Sequence, residues 1–206
     1  MAQFTAALAA VLLALTVAGC HRERVPQLPP LWSGAKILAF GDSLTYGSGV
    51  NPPDSYPAQL EAIVRHPVIN AGVPGDTTAD GRARLAEALD ANSPALVILC
   101  LGGNDMLRQE SRADMRANLT AMIEAIRARK IPLLLVGVPE PKVLGLSSEP
   151  MYAELARQYQ LPIENQVLAE VLGDRSLKSD QIHANEKGYR LIAEALGALL
   201  HKAGAV

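Results

Sequence analysis

The sequence predicts an α/β fold: three layers, α/β/α, built around a central, mostly parallel sheet of about five strands. Three observations carry this. Short, wholly apolar runs recur along the chain, the pattern of strands buried on both faces. Segments with apolar residues at helical spacing separate them. The polar motifs fall where the runs end, and in such sheets sites form in the loops leaving the carboxyl ends of strands. Strands alternating with helices in this way run parallel, with right-handed crossovers and helices on both faces.

The elements follow in order. Ile37-Leu38-Ala39-Phe40 is a short apolar run closed by Gly41, and reads as the first buried strand. Tyr56 to Arg65 has helical spacing, Val68-Ile69-Asn70 reads as a short strand, and Thr78 to Leu89 as a helix introduced by a turn at Pro74-Gly75-Asp76. Ala95 to Leu101 is the clearest buried strand and ends at Gly102-Gly103. A long helix over 112–129 places Leu119, Met122, Ile123 and Ile126 on one face, and Ile131 to Val138 is a further buried strand. An irregular, proline-bearing stretch, Pro139 to Pro150, comes next. Helices over 151–159 and 185–200 flank a fifth strand at Leu161 to Glu164.

The 206 residues, 49% hydrophobic, suffice for one domain with a sizeable core. A formal net charge of −2, with acids and bases interspersed, gives no electrostatic reason to expect nucleic acid or an acidic surface as a partner. A soluble enzyme or a binding domain remains, with a monomer as the default.

The first residues stand apart from that domain. From Phe4 to Gly19 only threonines interrupt an apolar run, and Cys20 and His21-Arg22-Glu23-Arg24 follow. The run is marginal for a bilayer span, which takes about 20 residues, and suits a signal-peptide core. Val17-Ala18-Gly19-Cys20 resembles a bacterial lipoprotein cleavage site. The resemblance implies removal of residues 1–19, a lipidated Cys20 and a Pro-rich tether over 20–34, poorly ordered or extended. The domain would then occupy 35–206 and face the periplasm or exterior, held to a membrane through Cys20. No Lys or Arg precedes the apolar run, so an uncleaved anchor helix is the alternative. Cys100, the other cysteine, lies in an apolar run and reads as an inert buried thiol rather than a nucleophile.

Chemistry gathers at the strand ends. Ser43, in Gly41-Asp42-Ser43-Leu44, can present its hydroxyl to the crevice, although Gly-Asp-Ser also makes an ordinary strand-ending turn. A serine needs a base. Of four histidines, His21, His66 and His201 read as surface residues, whereas His183 lies three residues after Asp180, where carboxylate and imidazole can meet. Asp-x-x-His is equally a helix-capping pattern. Donors for an oxyanion could come from Gly75 in the loop after the second strand, or from the Asn104 amide after the third. Neither Gly-rich loop matches a P-loop or a dinucleotide fingerprint. No His/Cys/Asp cluster has metal-ligand spacing.

Together, Gly41-Asp42-Ser43-Leu44, Gly75 in a Gly-Asp-Thr context, Gly102-Gly103-Asn104-Asp105 and Asp180-x-x-His183 resemble the four blocks of the SGNH (GDSL-type) hydrolase superfamily, in order. Within it the chain is most similar to the bacterial arylesterase and thioesterase/lysophospholipase group. The resemblance runs from Lys36 to the C-terminus and implies a flavodoxin-like fold and a serine esterase needing no cofactor. It implies Ser43 as nucleophile, His183 as base and Asp180 as its orienting partner. The oxyanion hole would comprise the Ser43 N–H, the Gly75 N–H and the Asn104 side chain, with Gly72 a weaker candidate for the glycine. No Gly-x-Ser-x-Gly surrounds Ser43, against an α/β-hydrolase. Ala184 stands where relatives often carry proline. The family's substrate loop corresponds to Pro139 to Pro150, whose Leu144 and Leu146 suit either an acyl chain or a core contact. The expected substrates are small-molecule esters or lipids: aryl and acyl esters, thioesters or lysophospholipids. A carbohydrate or cell-wall O-acetylesterase and, more remotely, a non-catalytic binding lipoprotein are the alternatives.

Overall fold

The computed structural model describes residues 24–141 and 145–206; the leader over 1–19, Cys20 and Leu144 lie outside them. The chain forms β1 (Ile37–Gly41), β2 (Val68–Gly72), β3 (Leu96–Cys100), β4 (Leu133–Val136), a hairpin of β5 (Pro139–Pro141) and β6 (Leu146–Ser148), and β7 (Ile163–Glu164). The main sheet has the order β2-β1-β3-β4-β7, with every neighbouring pair parallel. This is the doubly wound arrangement expected, and its direction of winding reverses between β1 and β3. Gly41 lies opposite both Gly72 and Cys100 in register, so the loops leaving β1, β2 and β3 emerge at one level.

The inner strands are buried on both faces, as their apolar runs require: Ile37 to Phe40 and Leu96 to Leu99 are 0% exposed. Each of these side chains larger than alanine contributes about 1.5–3 kcal/mol on burial. The helices are α1 (Ser43–Tyr46), α2 (Tyr56–Val64), α3 (Thr78–Asn92), α4 (Gly103–Leu107), α5 (Arg112–Ala128), α6 (Pro150–Tyr159), α7 (Val167–Gly173) and α8 (Glu186–Lys202). α2 and α7 pack on α8, and α3 packs on α5. α6 joins α5 through Tyr159 Oη, which donates to Glu124 (2.7 Å), and through an Arg116–Glu154 ion pair. α3 opens with a capping box, Thr77 and Asp80 each accepting the other's N–H, and Asn185 caps α8 by accepting from Gly188 N (3.0 Å).

Two segments differ from the sequence expectation. The stretch after β4 is not irregular throughout, because β5 and β6 pair antiparallel, with Pro139 opposite Ser148. Prolines are tolerated there since a two-stranded hairpin leaves outward N–H positions without a ladder bond to make. The described part of the segment read as a tether is docked: Leu28 N donates to Ala203 O and Leu31 N to Ala205 O, each at 2.8 Å. Leu28 and Leu31 also pack against the core.

Candidate active site

Ser43 is the first residue of α1, directly beyond β1, and Asp42 caps that helix by accepting the Leu44 N–H at 3.0 Å. The first N–H groups of a helix have no intrahelical acceptor, and the Ser43 N–H has no other acceptor among the described residues. The close fit of α1 over β2 depends on Gly72, where a Cβ would run into the Tyr46 amide.

His183 Nε2 lies 2.9 Å from Ser43 Oγ, and His183 Nδ1 lies 2.7 Å from Asp180 Oδ2. The other Asp180 oxygen accepts the backbone N–H groups of Ile182 and His183, both at 2.8 Å. Burial raises the Asp180 carboxyl, but the hydrogen bonds from the His183 ring and from these two N–H groups outweigh it and hold it below the usual carboxylate range. The surrounding turn closes on itself. Ser179 N donates to His183 O (3.1 Å), Ser179 Oγ donates to Ala184 O (3.0 Å), and the Asn185 amide reaches Ser176 O (2.9 Å). Ala184 is fully buried.

On the other side of the site, Val73-Pro74-Gly75-Asp76 forms a turn closed by Asp76 N donating to Val73 O (3.2 Å), with Gly75 at φ +88°. Proline followed by a left-handed residue makes this a type II turn. Such a turn leaves the N–H of its third residue outside the closing hydrogen bond, and the Gly75 N–H has no acceptor among the described residues. The Gly72 N–H, by contrast, donates to Asn70 Oδ1 at 3.0 Å. Asn104 Nδ2 donates to Asp76 O (2.9 Å), which leaves its second proton free to point elsewhere, and Arg108 donates to Gly75 O (2.8 Å). Thr78 donates both its N–H (2.9 Å) and its hydroxyl (2.5 Å) to the Asp105 carboxylate.

Ser43 and Asn104 line one cleft of about 490 Å³, whose apolar wall includes Leu44, Met106, Leu107, Val138, Leu146 and Ile182. Leu146 therefore lines the cleft from β6. His183, which reaches Ser43, and Gly75 are not among its lining residues, and neither are His66 and His201. Cys100 is buried, and burial pushes its thiol well above the ordinary value, as an inert thiol requires. Two residues near the site carried no role in the sequence. Asp42 also lines the cleft yet is 3% exposed. Its burial, helped by the Asp76 and Asp105 charges and opposed by the Leu44 N–H and His183, pushes its carboxyl up to about 6. Arg84 pairs with Asp76 at 2.6 Å.

A model of the GDSL-like lipase/acylhydrolase family matches residues 39–191. The esterase TesA of Pseudomonas aeruginosa is 36% identical over 123 residues, a match spanning 57% of this chain and 59% of TesA. An arylesterase from Vibrio mimicus is 31% identical over 177 residues, covering 81% of this chain and 88% of that protein. Among solved structures, AlinE4, an SGNH-hydrolase family esterase, superposes with a TM-score of 0.65 at 37% identity, over 85% of this chain and 100% of that one.

Proposed function

The chain belongs to the GDSL-like lipase/acylhydrolase family, and from that premise we propose that it hydrolyses carboxylic esters through an acyl-enzyme on Ser43. The observation that carries the reading is the continuous chain from Ser43 Oγ through His183 to Asp180, with steps of 2.9 and 2.7 Å.

In this reading His183 Nε2 takes the hydroxyl proton as Ser43 Oγ attacks the ester carbonyl. Asp180 holds Nδ1–H, fixing the tautomer and steadying the imidazolium. The negative charge that builds on the carbonyl oxygen falls to the Ser43 N–H, the Gly75 N–H and the second Asn104 amide proton, each worth about 10²–10³ in rate. His183 then returns the proton to the leaving alcohol, or thiol, as the tetrahedral intermediate collapses to an acyl-serine. Water, deprotonated by the same ring, attacks that acyl-serine; the acid departs and Ser43 recovers its proton. Every proton passes through one nitrogen, so the chemistry calls on no group beyond water.

The apolar lining supports acyl groups longer than acetyl, in aryl esters, acyl esters, thioesters or lysophospholipids, ahead of a carbohydrate O-acetyl group. Export and a lipid anchor on Cys20 belong to the same proposal. They rest on Val17-Ala18-Gly19-Cys20 and are checked by the mass of the mature N-terminal peptide.

The test is hydrolysis of p-nitrophenyl acetate, butyrate, octanoate and palmitate beside a Ser43→Ala variant. Turnover that peaks beyond acetate, with the variant down by at least about 10³-fold, is expected. A variant that keeps most of the activity removes Ser43 from the role of nucleophile, and an acetate optimum restores the O-acetylesterase reading.

A further inference from the structure

The two loops that offer oxyanion donors share one support with the nucleophile's strand. Arg84, on α3, donates Nε to Asp76 Oδ2 (2.6 Å), one terminal nitrogen to Ala71 O (3.0 Å) and the other to Gly41 O (2.8 Å). Its guanidinium lies over the Phe40 ring, 4.0 Å from the centroid. One planar group thus joins the end of β1, two residues before Ser43, to the end of β2 and to the turn that carries Gly75. Asp76 passes the connection on. Its carboxylate is held by Arg84, its own N–H closes the Gly75 turn, and its carbonyl takes the Asn104 amide at 2.9 Å. The Arg84 and Asp76 side chains are only 23% and 12% exposed, so the pair is shielded from the screening that weakens surface ion pairs.

We infer that the Asp76–Arg84 pair is a positioning unit that sets the Gly75 N–H and the Asn104 amide against Ser43, and so governs turnover without touching substrate. The inference rests on the acyl-enzyme reading above. Three divergent contacts from one rigid fork are what a guanidinium supplies and an ammonium on a flexible stem does not, so lysine cannot replace it. A donor displaced by about 1 Å costs on the order of 10²-fold in rate. Released, the turn would move relative to Ser43 while the apolar cleft that binds the acyl group stays as it is.

The experiment compares wild type, Arg84→Lys, Asp76→Asn, Asn104→Ala and the double variant Arg84→Lys/Asn104→Ala on p-nitrophenyl butyrate. Active sites are counted by labelling with a fluorophosphonate and locating the adduct by mass. Labelling of Ser43 in the wild type tests the acyl-enzyme reading by itself; a wild type that is not labelled there fails that reading and this inference together. With Ser43 labelled, kcat per labelled site is expected to fall about 10–10²-fold in Arg84→Lys, with KM within about twofold. The double variant should lose much less than the product of the two single losses, because both act through the same donors. Asp76→Asn, nearly identical in shape, keeps the question answerable if the arginine variant folds badly, and a smaller loss in kcat with unchanged KM is expected of it. A merely structural pair would lower the labelled fraction and leave kcat per labelled site unchanged. That outcome, or losses that multiply fully with Asn104→Ala, overturns the assignment.

Discussion

The two halves of the site are held by different kinds of bond. Asp180 and His183 sit in a turn whose ties run within one short segment: carboxylate to ring and backbone three residues on, Ser179 to Ala184, Asn185 back to Ser176. The Asp180 side chain is 52% exposed. Gly75 and Asn104 are held by ties between distant segments, Asn104 to Asp76, Arg108 to Gly75, Asp105 to Thr78 and Arg84 to Gly41. Asp105 and Thr78 are buried. A locally closed turn can lose a functional side chain while the fold around it stands. A buried crosslink between strand ends belongs to the fold itself.

The largest effect expected from this contrast is at His183. His183→Ala removes the proposed base but keeps both backbone N–H bonds to Asp180, so kcat/KM should fall by at least about 10³-fold. The unfolding free energy should move by no more than about 1 kcal/mol. Urea denaturation beside ester hydrolysis reads both quantities. A loss of stability matching that of a buried crosslink would dissolve the distinction between the two halves.

The same contrast marks what could be read from sequence. β1, β3 and β4 were legible because strands buried on both faces become continuous apolar runs, and their alternation with helices implies a parallel sheet covered on both faces, though not the order of its strands. α7 escaped because seven residues make only two turns, too few for periodicity to separate helix from loop. Asp180 and His183 stood out because their partnership is local. Arg84 did not, since it lies two residues from Arg82 and nothing in the sequence ranks one above the other. Two positions on a helix turn the side chain to the opposite face. Arg82 accordingly reaches Asn118 at the surface, while Arg84 reaches the strand ends beneath the site. Asp42 was printed in the motif itself, but its burial depends on α4 and the cleft wall closing over it.

Asp42 sharpens the comparison through pH. Its carboxyl is pushed up to about 6 by burial, from an ordinary value of 3.8, so the fold favours the neutral acid. The sign follows: the stability contributed by protonated Asp42 is fully present below pH 3.8 and is lost as pH rises through 6. About two pKa units at 1.36 kcal/mol each make the loss about 3 kcal/mol. Asp42→Asn keeps an oxygen for the Leu44 N–H and removes the titration. The variant should therefore gain about 2 kcal/mol on wild type between pH 4 and pH 7.5, measured by urea melts at the two pH values. Asp180 is displaced in the opposite direction and is half-exposed, so it should add no slope of this sign. Equal pH slopes in wild type and variant would mean that Asp42 is ionised in the fold at little cost.

The smallest effect, and the one that tests the buried half directly, is expected at Asp105. Its carboxylate accepts both the N–H and the hydroxyl of Thr78, which is 0% exposed. Asp105→Ala strands those two donors in a place water does not reach. The Asn118 amide, which donates to the Thr78 hydroxyl, cannot serve as their acceptor. The two unsatisfied buried donors cost about 2–6 kcal/mol between them, but removing the buried carboxylate relieves its own desolvation cost of several kcal/mol, so a net loss of about 2 kcal/mol is expected. For a domain of this size that lowers the melting temperature by roughly 4–8 °C. Because Asn104 is the next residue and shares the same crosslinked loops, turnover should fall as well, in contrast to the stability-neutral loss at His183. A variant that melts like wild type but loses turnover would place Asp105 with the local half of the site rather than with the fold.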